Sequence, residues 1–326
     1  MIISRTPLRV SFFGGGSDLP AYYRRHGGAV LSTAIDKSVY VTVCQKFDNA
    51  VRVSYSRTEE VAHASEVEHP LVREALALLG IEGGIEITSV ADIPSKGTGL
   101  GSSSSFTVGL LNALHAFRGR HATATDLAQE SCRIEIERCG EPVGKQDQYA
   151  AAFGGFNFIR FHPDETVEVK KAVCPRSVLE ELQSRLLFFY TGITRSASTL
   201  LQAQSAKVAQ HGEKSDATGE LVHMAEIAFG DLCAGNIESF GPLLHEAWQI
   251  KRQLTDGVTN PMIDDAYRAA MDAGAQGGKI LGAGGGGFLM FFAPHERHHA
   301  IWRALHPLRE TPFAFAPQGS SIIFVH

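Results

Sequence analysis

The sequence predicts an α+β protein built from two domains, and three observations lead there. The chain has 326 residues, more than the roughly 100–200 of a single domain. Strand-like alternation and helix-like periodicity succeed one another without the regular βαβ beat of a doubly wound sheet. The pattern breaks near residues 165–180, where Lys170, Lys171, Cys174 and Pro175 precede a fresh apolar run, LLFFYTGI. The expected domains are therefore 1–175 and 176–326.

Alternation predicts strands over 5–13, 39–43 (VYVTV), 51–55 (VRVSY) and 85–88 (IEIT). Leu71, Ala75, Leu78 and Leu79 share one face of a short helix over 70–79. Phe106, Leu110, Leu114 and Phe117 repeat at helical spacing after a serine run, and Leu127, Ser131 and Ile134 mark a helix over 125–138. In the second half, 186–193 reads as a buried strand, and QHGEKSDATG over 210–219 as an exposed loop. Leu244, Trp248 and Leu254 mark an amphipathic helix, FLMFF reads as a strand, and 322–325 is a closing strand.

Composition excludes several classes. A 44% hydrophobic and 20% charged chain is an ordinary globular one. A net charge of −5 argues against a dedicated nucleic-acid binder. The five cysteines (Cys44, Cys132, Cys139, Cys174, Cys233) are scattered and form no CxxC pair, so a disulfide framework or zinc site is not expected and a reducing compartment fits. The N-terminus lacks a signal-peptide run, and the longest apolar stretch, over 280–294, is glycine-loaded and too short to span a membrane. The expected location is cytoplasmic. His295, His298 and His299 read as a solvated helix face rather than a metal site.

Glycine carries the chemical signal. In PSKGTGLGSSSSF, Gly97, Gly99 and Gly101 alternate and Ser102, Ser103, Ser104 and Ser105 follow, opening a helix. A helix N-terminus offers unpaired N–H groups and partial positive charge. Glycine lets backbone approach an anion, and serine hydroxyls add donors and metal ligands. A polyphosphate would use all three, whereas the plain alternative is a flexible loop with a serine-rich cap. The Walker pattern is not met, because Gly140, Gly144 and Lys145 are one residue short and end in Gln146. GxGxxG occurs at Gly282, Gly284 and Gly287, but a strand follows it where the dinucleotide fingerprint needs a helix. A second stretch, FFGGGSDLPAYY, sets Asp18 and two tyrosines after a glycine turn. That suits a polyol, or equally an aspartate capping a short helix. The third, GGKILGAGGGGFLMFF, implies close backbone approach to a ligand or to another segment.

In this order the three stretches resemble the three motifs of the GHMP kinases, over nearly the whole chain. The second is one residue longer than the family pattern and has Ser for its usual Ala. Within the superfamily, FFGGGSDLPAYY, GKQDQYAAAFGG, YTGITRSAS and LLHEAWQIKRQL are most similar to the D-glycero-D-manno-heptose 7-phosphate kinases, although bacterial fucose kinases share a similar TGITR segment. The resemblance implies an N-terminal α+β domain of ribosomal-protein type that binds ATP, a ferredoxin-like C-terminal domain on the substrate side, and a cleft between them.

It also implies roles. Lys96, Gly97, Thr98, Gly99, Gly101 and Ser102 to Ser105 would form the ATP cradle. Ser103, with Ser102 and Ser104 as rivals, and Glu135, with Glu137 as rival, would hold Mg²⁺. Asp147 would orient the attacking hydroxyl. Beside a cation, here Lys145, an aspartate is a modest base, which favours orientation with late proton acceptance. Arg9 would pair with Asp147 and steady the transferring group. Gly15, Gly16 and Asp18 would bind the sugar, together with Gly284 and Gly285. Thr191, Gly192, Thr194, Arg195 and Ser196 would take the sugar's own phosphate. The expected partner is a small sugar phosphate, with a homodimer left open. A catalytically silent sugar or ATP sensor is the alternative of another class, and the joint presence of Asp147, Arg9, Ser103 and Glu135 argues against it.

Overall fold

The computed structural model describes residues 1–94, 97–194, 200–203 and 213–326, with the side chains of 213–215 excepted. Two sheets organise these residues. The larger holds β1 (Ile2–Phe13), β2 (Gly28–Gln45), β3 (Val51–Ser54), β4 (Thr58–Val61), β5 (Ile85–Ala91), β6 (Phe156–Phe161) and β7 (Val167–Lys171), joined from the end of the chain by β12 (Ser321–Val325). Its order is β12-β1-β2-β5-β3-β4, with β6 on β2 and β7 on β6. The smaller holds β8 (Leu186–Tyr190), β9 (Gly277–Ile280), β10 (Phe288–Phe292) and β11 (Arg309–Glu310), in the order β11-β8-β10-β9.

β2 is 18 residues long, not the short strand expected over 39–43. Its first part pairs with β6 and its second with β5. The first eight residues are all buried. A strand covered on both faces shows no polar alternation to read. The small sheet does alternate. Leu187, Phe189, Leu289 and Phe291 face a core with Trp248, Ile263 and Tyr267, while Leu186, Phe188, Phe288, Met290 and Phe292 face the larger core. One sheet thus divides two hydrophobic clusters by its period of two.

Three expectations are corrected. The loop expected over 210–219 is helical from residue 213, where Glu213–Cys233 begins; Ala217, Leu221, Met224, Ala225 and Ala228 pack on the large core and stabilise a helix that local composition disfavours. The helix expected over 125–138 is α-helical over Ala124–Cys132 and widens to a π-helix over Arg133–Arg138. Finally, residues 176–326 do not stay with the small sheet. The tail recrosses to the large one, where Ile2 pairs with Val325 and Arg5 with Ser321.

The helix Ser102–Phe117 lies on the large sheet. Ser4 Oγ donates to the Gly109 carbonyl at 2.7 Å, and a Cβ at Gly109 would sit 2.7 Å from Thr6 Oγ1. That close approach fixes the middle of the helix against the first half of β1.

Candidate active site

A cleft of about 610 Å³ opens where the two sheets meet. Its walls come from β1, the turn after it, the glycine–serine loop, the residues around Asp147, the helix Phe240–Leu254 and the end of β9.

Gly97, Gly99 and Gly101 have φ of 70°, 77° and 76°. This left-handed region is open to glycine and costly for other residues, which accounts for the alternation. Gly101 is the N-cap of the helix Ser102–Phe117, and no side chain caps its first N–H groups. Those donors face the cleft beside Ser102, Ser103 and Ser104. Ser105 does not contribute, because it is fully buried and donates to the Pro7 carbonyl at 2.8 Å. Lys96 lies outside the described residues.

The third glycine stretch meets backbone. A Cβ on Gly282 would lie 2.4 Å from Gly99 Cα, and one on Gly287 would lie 2.4 Å from the Thr98 carbonyl oxygen. These glycines brace the glycine–serine loop. Gly284 and Gly285, expected to bind sugar, instead pack against Val258; Gly285 N–H donates to its carbonyl at 2.9 Å. Gly282 and Ala283 line the cleft in their place.

Arg9 is the pivot of the floor. Its Nε and Nη2 donate to Asp147 Oδ1 and Oδ2 at 2.7 and 2.9 Å, and its Nη1 donates to the Gly99 carbonyl at 2.6 Å. One guanidinium therefore fixes both the aspartate and the loop. The cation beside Asp147 is Arg9 and not Lys145. Lys145 turns away to Glu165 at 2.6 Å and lies over the Tyr23 ring at 4.8 Å.

Asp18 is buried. It accepts from Gly16 N–H at 3.1 Å and from Gln146 Nε2 and N–H, both at 3.2 Å. Burial, and then the charge of Asp147, push its carboxyl up to about 6. Gly15 and Gly16 line the cleft beside it.

The π-helical turn presents Glu135 inward, 2% exposed, and leaves Glu137 exposed. Glu135 Oε2 accepts from Ser104 Oγ and Gln148 Nε2, both at 2.7 Å. Of the serine run it meets Ser104, while Ser131 Oγ donates to its other oxygen at 3.3 Å and Ser103 stands exposed in the cleft. Burial raises the Glu135 carboxyl from 4.5 to about 7. Among the described residues no group of three His, Cys, Asp or Glu side chains could hold a metal alone. One carboxylate with neighbouring hydroxyls does fit Mg²⁺, which takes one or two protein ligands and completes its shell from phosphates and water.

Thr191 is corrected too. Its hydroxyl donates to the Gly287 carbonyl at 2.9 Å, which holds the third stretch, and it does not line the cleft. Gly192 is exposed and outside the cleft lining, whereas Thr194 lines it. Arg195 and Ser196 lie outside the described residues.

The cleft residues that were not anticipated include the polar Ser11 and Gln146 and the cationic Lys251 and Lys279. Lys251 had a readable signal. It falls three residues after Trp248 and seven after Leu244, on the buried stripe of its helix, where a lysine is out of place.

The cleft can hold a polyanion on open N–H groups against an oriented carboxylate, which is what phosphoryl transfer requires. The comparisons agree with that class. The family model for the GHMP kinases N terminal domain matches residues 61–155, and the one for GHMP kinases C terminal matches 228–307. Together they span more than half of the chain, and the protein belongs to the GHMP kinases.

The chain is 28% identical to the D-glycero-alpha-D-manno-heptose 7-phosphate kinase of Campylobacter jejuni, over 93% of each chain. It is 24% identical to the bifunctional fucokinase/GDP-fucose pyrophosphorylase of Arabidopsis thaliana, over 88% of this chain but only 29% of that one. The crystal structure of a D-glycero-D-manno-heptose 1-phosphate kinase from Bacteroides thetaiotaomicron matches all of both chains with a TM-score of 0.81 at 25% identity. Among the described residues no helix is long and apolar enough to cross a membrane.

Proposed function

We propose that the protein is an ATP-dependent sugar kinase that phosphorylates the anomeric hydroxyl of D-glycero-D-manno-heptose 7-phosphate, giving the 1,7-bisphosphate. The observation that carries the reading is the Arg9–Asp147 clamp, held against the Gly99 carbonyl of the phosphate loop and electrostatically coupled to the buried Asp18. The C. jejuni and B. thetaiotaomicron relatives support heptose as the acceptor.

The loop at 97–104 cradles the triphosphate. Asp18 and Gln146 bind sugar hydroxyls; Gln146 Oε1 has no hydrogen-bond partner among the described residues and suits a hydroxyl donor. Asp147 accepts a hydrogen bond from the anomeric hydroxyl and aims its oxygen at the terminal phosphorus. As the new O–P bond forms and the bond to the leaving oxygen of ADP breaks, the hydroxyl proton passes to Asp147 and then to water. Arg9 holds the carboxylate in line and faces the transferred charge. Ser103, Ser104 and Glu135 would hold Mg²⁺, which when bound neutralises phosphate charge. The product would feed nucleotide-activated heptose for bacterial surface polysaccharide.

A second reading, a fucose 1-kinase, is favoured by the match to the Arabidopsis enzyme. The test is Mg-ATP-dependent ADP release with heptose 7-phosphate, free heptose, fucose, mannose, galactose and mevalonate, with NMR of any product. Turnover confined to heptose 7-phosphate, with an anomeric phosphate formed, is the expected result. Turnover of fucose alone would move the assignment to the second reading.

A further inference from the structure

Two cationic side chains of the cleft have no part in the chemistry above. Lys251, from the helix Phe240–Leu254, donates to the carbonyl of Gly282. Lys279, from β9, is 5% exposed and donates to the carbonyls of Ser11 and Phe12 at 3.0 and 2.6 Å. Arg9 is balanced by Asp147. Among the described residues, neither lysine has a carboxylate within ion-pair distance, and Ser11 Oγ is buried at the cleft wall with no hydrogen-bond partner.

An ammonium withdrawn from water without a counter-charge is costly. Carbonyl oxygens satisfy its donors but not its charge. A cleft that already seats phosphates supplies the missing anion when it is loaded. Lys279 is held on two carbonyls as a strut between the sheets, while Lys251 keeps donors beyond its single bond to Gly282.

We propose that Lys251, with the hydroxyl of Ser11, binds a phosphate group of the cleft's ligands. The phosphate is either the acceptor's own or the terminal one of the nucleotide. The inference deepens the kinase reading and rests on it. The charged groups facing Lys251 are Arg9 from β1, Asp18 from the turn after it and Lys279 from β9. Burial, and then the charge of Arg9, bring the Lys251 ammonium down to about 8, with Asp18 acting in the opposite sense. Phosphate affinity therefore falls as pH rises through about 8.

The test is calorimetry and steady-state kinetics on the full chain with Lys251→Met and Lys251→Arg, after melting curves confirm that both are folded. The probes are ADP, a non-hydrolysable ATP analogue, heptose and heptose 7-phosphate. Lys251→Met is expected to weaken one phosphate ligand at least tenfold, and Lys251→Arg to restore most of that affinity and carry it to higher pH. Loss for heptose 7-phosphate but not heptose assigns the acceptor's phosphate. Loss for the ATP analogue but not ADP assigns the terminal phosphate.

Equal losses within both pairs would reduce Lys251 to a brace for Gly282 and overturn the proposal, as would no loss at all. Binding is read without turnover, so a wild-type chain that binds nucleotide but never phosphorylates heptose 7-phosphate refutes the heptose reading separately, and the ADP pair still tests Lys251 against the nucleotide's terminal phosphate.

Discussion

Gly99 and Gly282 come from segments far apart in the chain, yet their backbones touch: a Cβ on Gly282 would lie 2.4 Å from Gly99 Cα. The contact joins the glycine–serine loop to the third glycine stretch, and Arg9 Nη1 bonds the carbonyl of the same Gly99. Gly282 also has φ of 70°. Gly282→Ala therefore meets both a left-handed penalty of roughly 1–2 kcal/mol and a backbone clash. It should lower Tm by several degrees and weaken Mg-ADP more than tenfold, read by thermal melts and calorimetry. Unchanged ADP affinity would mean that the turn does not support the loop.

Gly144 plays the same part beside Asp18. A Cβ there would fall 1.9 Å from Asp18 Oδ2, so Gly144→Ala must displace the buried carboxylate. The expected outcome is a KM for sugar raised tenfold or more with ADP affinity kept within twofold. If both ligands weaken alike, Gly144 shapes the whole cleft and not Asp18 in particular.

Glu135 makes ligand-free stability depend on pH. Its folded carboxyl is raised from 4.5 to about 7, so the folded state holds the proton more tightly than the unfolded chain. The stabilising contribution is complete below about 4.5 and is lost as pH climbs through about 7. Above that the ionised group costs on the order of 3 kcal/mol. Glu135→Gln should then raise the Tm of ligand-free protein at pH 8 by several degrees and change it little at pH 4. Gln148 Oε1, without a partner among the described residues, is free to accept from the new amide if its own amide flips. The same variant should lose most of its Mg²⁺ dependence in nucleotide binding. A Tm lowered equally at both pH values would contradict the burial argument.

The fold was legible where a strand or helix had one wet face. The strands over 51–55 and 85–88 and the helix over 70–79 alternate or repeat plainly, and the structure has them. The first half of β2 and the helix from Glu213 were not, because the first is buried on both sides and the second is stabilised by packing rather than by its own residues. Local chemistry pointed to the glycine–serine run and, equally with a helix cap, to Asp18, while the family resemblance pointed to Arg9 and Asp147. What spacing cannot show is which atoms face each other: that Ser105 turns to Pro7, that Ser104 and not Ser103 meets Glu135, and that Lys145 leaves the site. Lys251 stood out in the sequence as a lysine on a buried stripe, but its place in the cleft needed the tertiary structure.

The Arg9–Asp147 clamp is the centre of the account, and Asp147→Asn tests it most directly. The amide keeps the side chain's size but removes the charge that Arg9 grips and the proton acceptor that faces the hydroxyl. Turnover of heptose 7-phosphate should fall by about a hundredfold to ten-thousandfold, with the affinity for a non-hydrolysable ATP analogue within about threefold of wild type. A variant that turns over near the wild-type rate would contradict the assignment of Asp147 and, with it, the reading of this cleft as a phosphoryl-transfer site built around that residue.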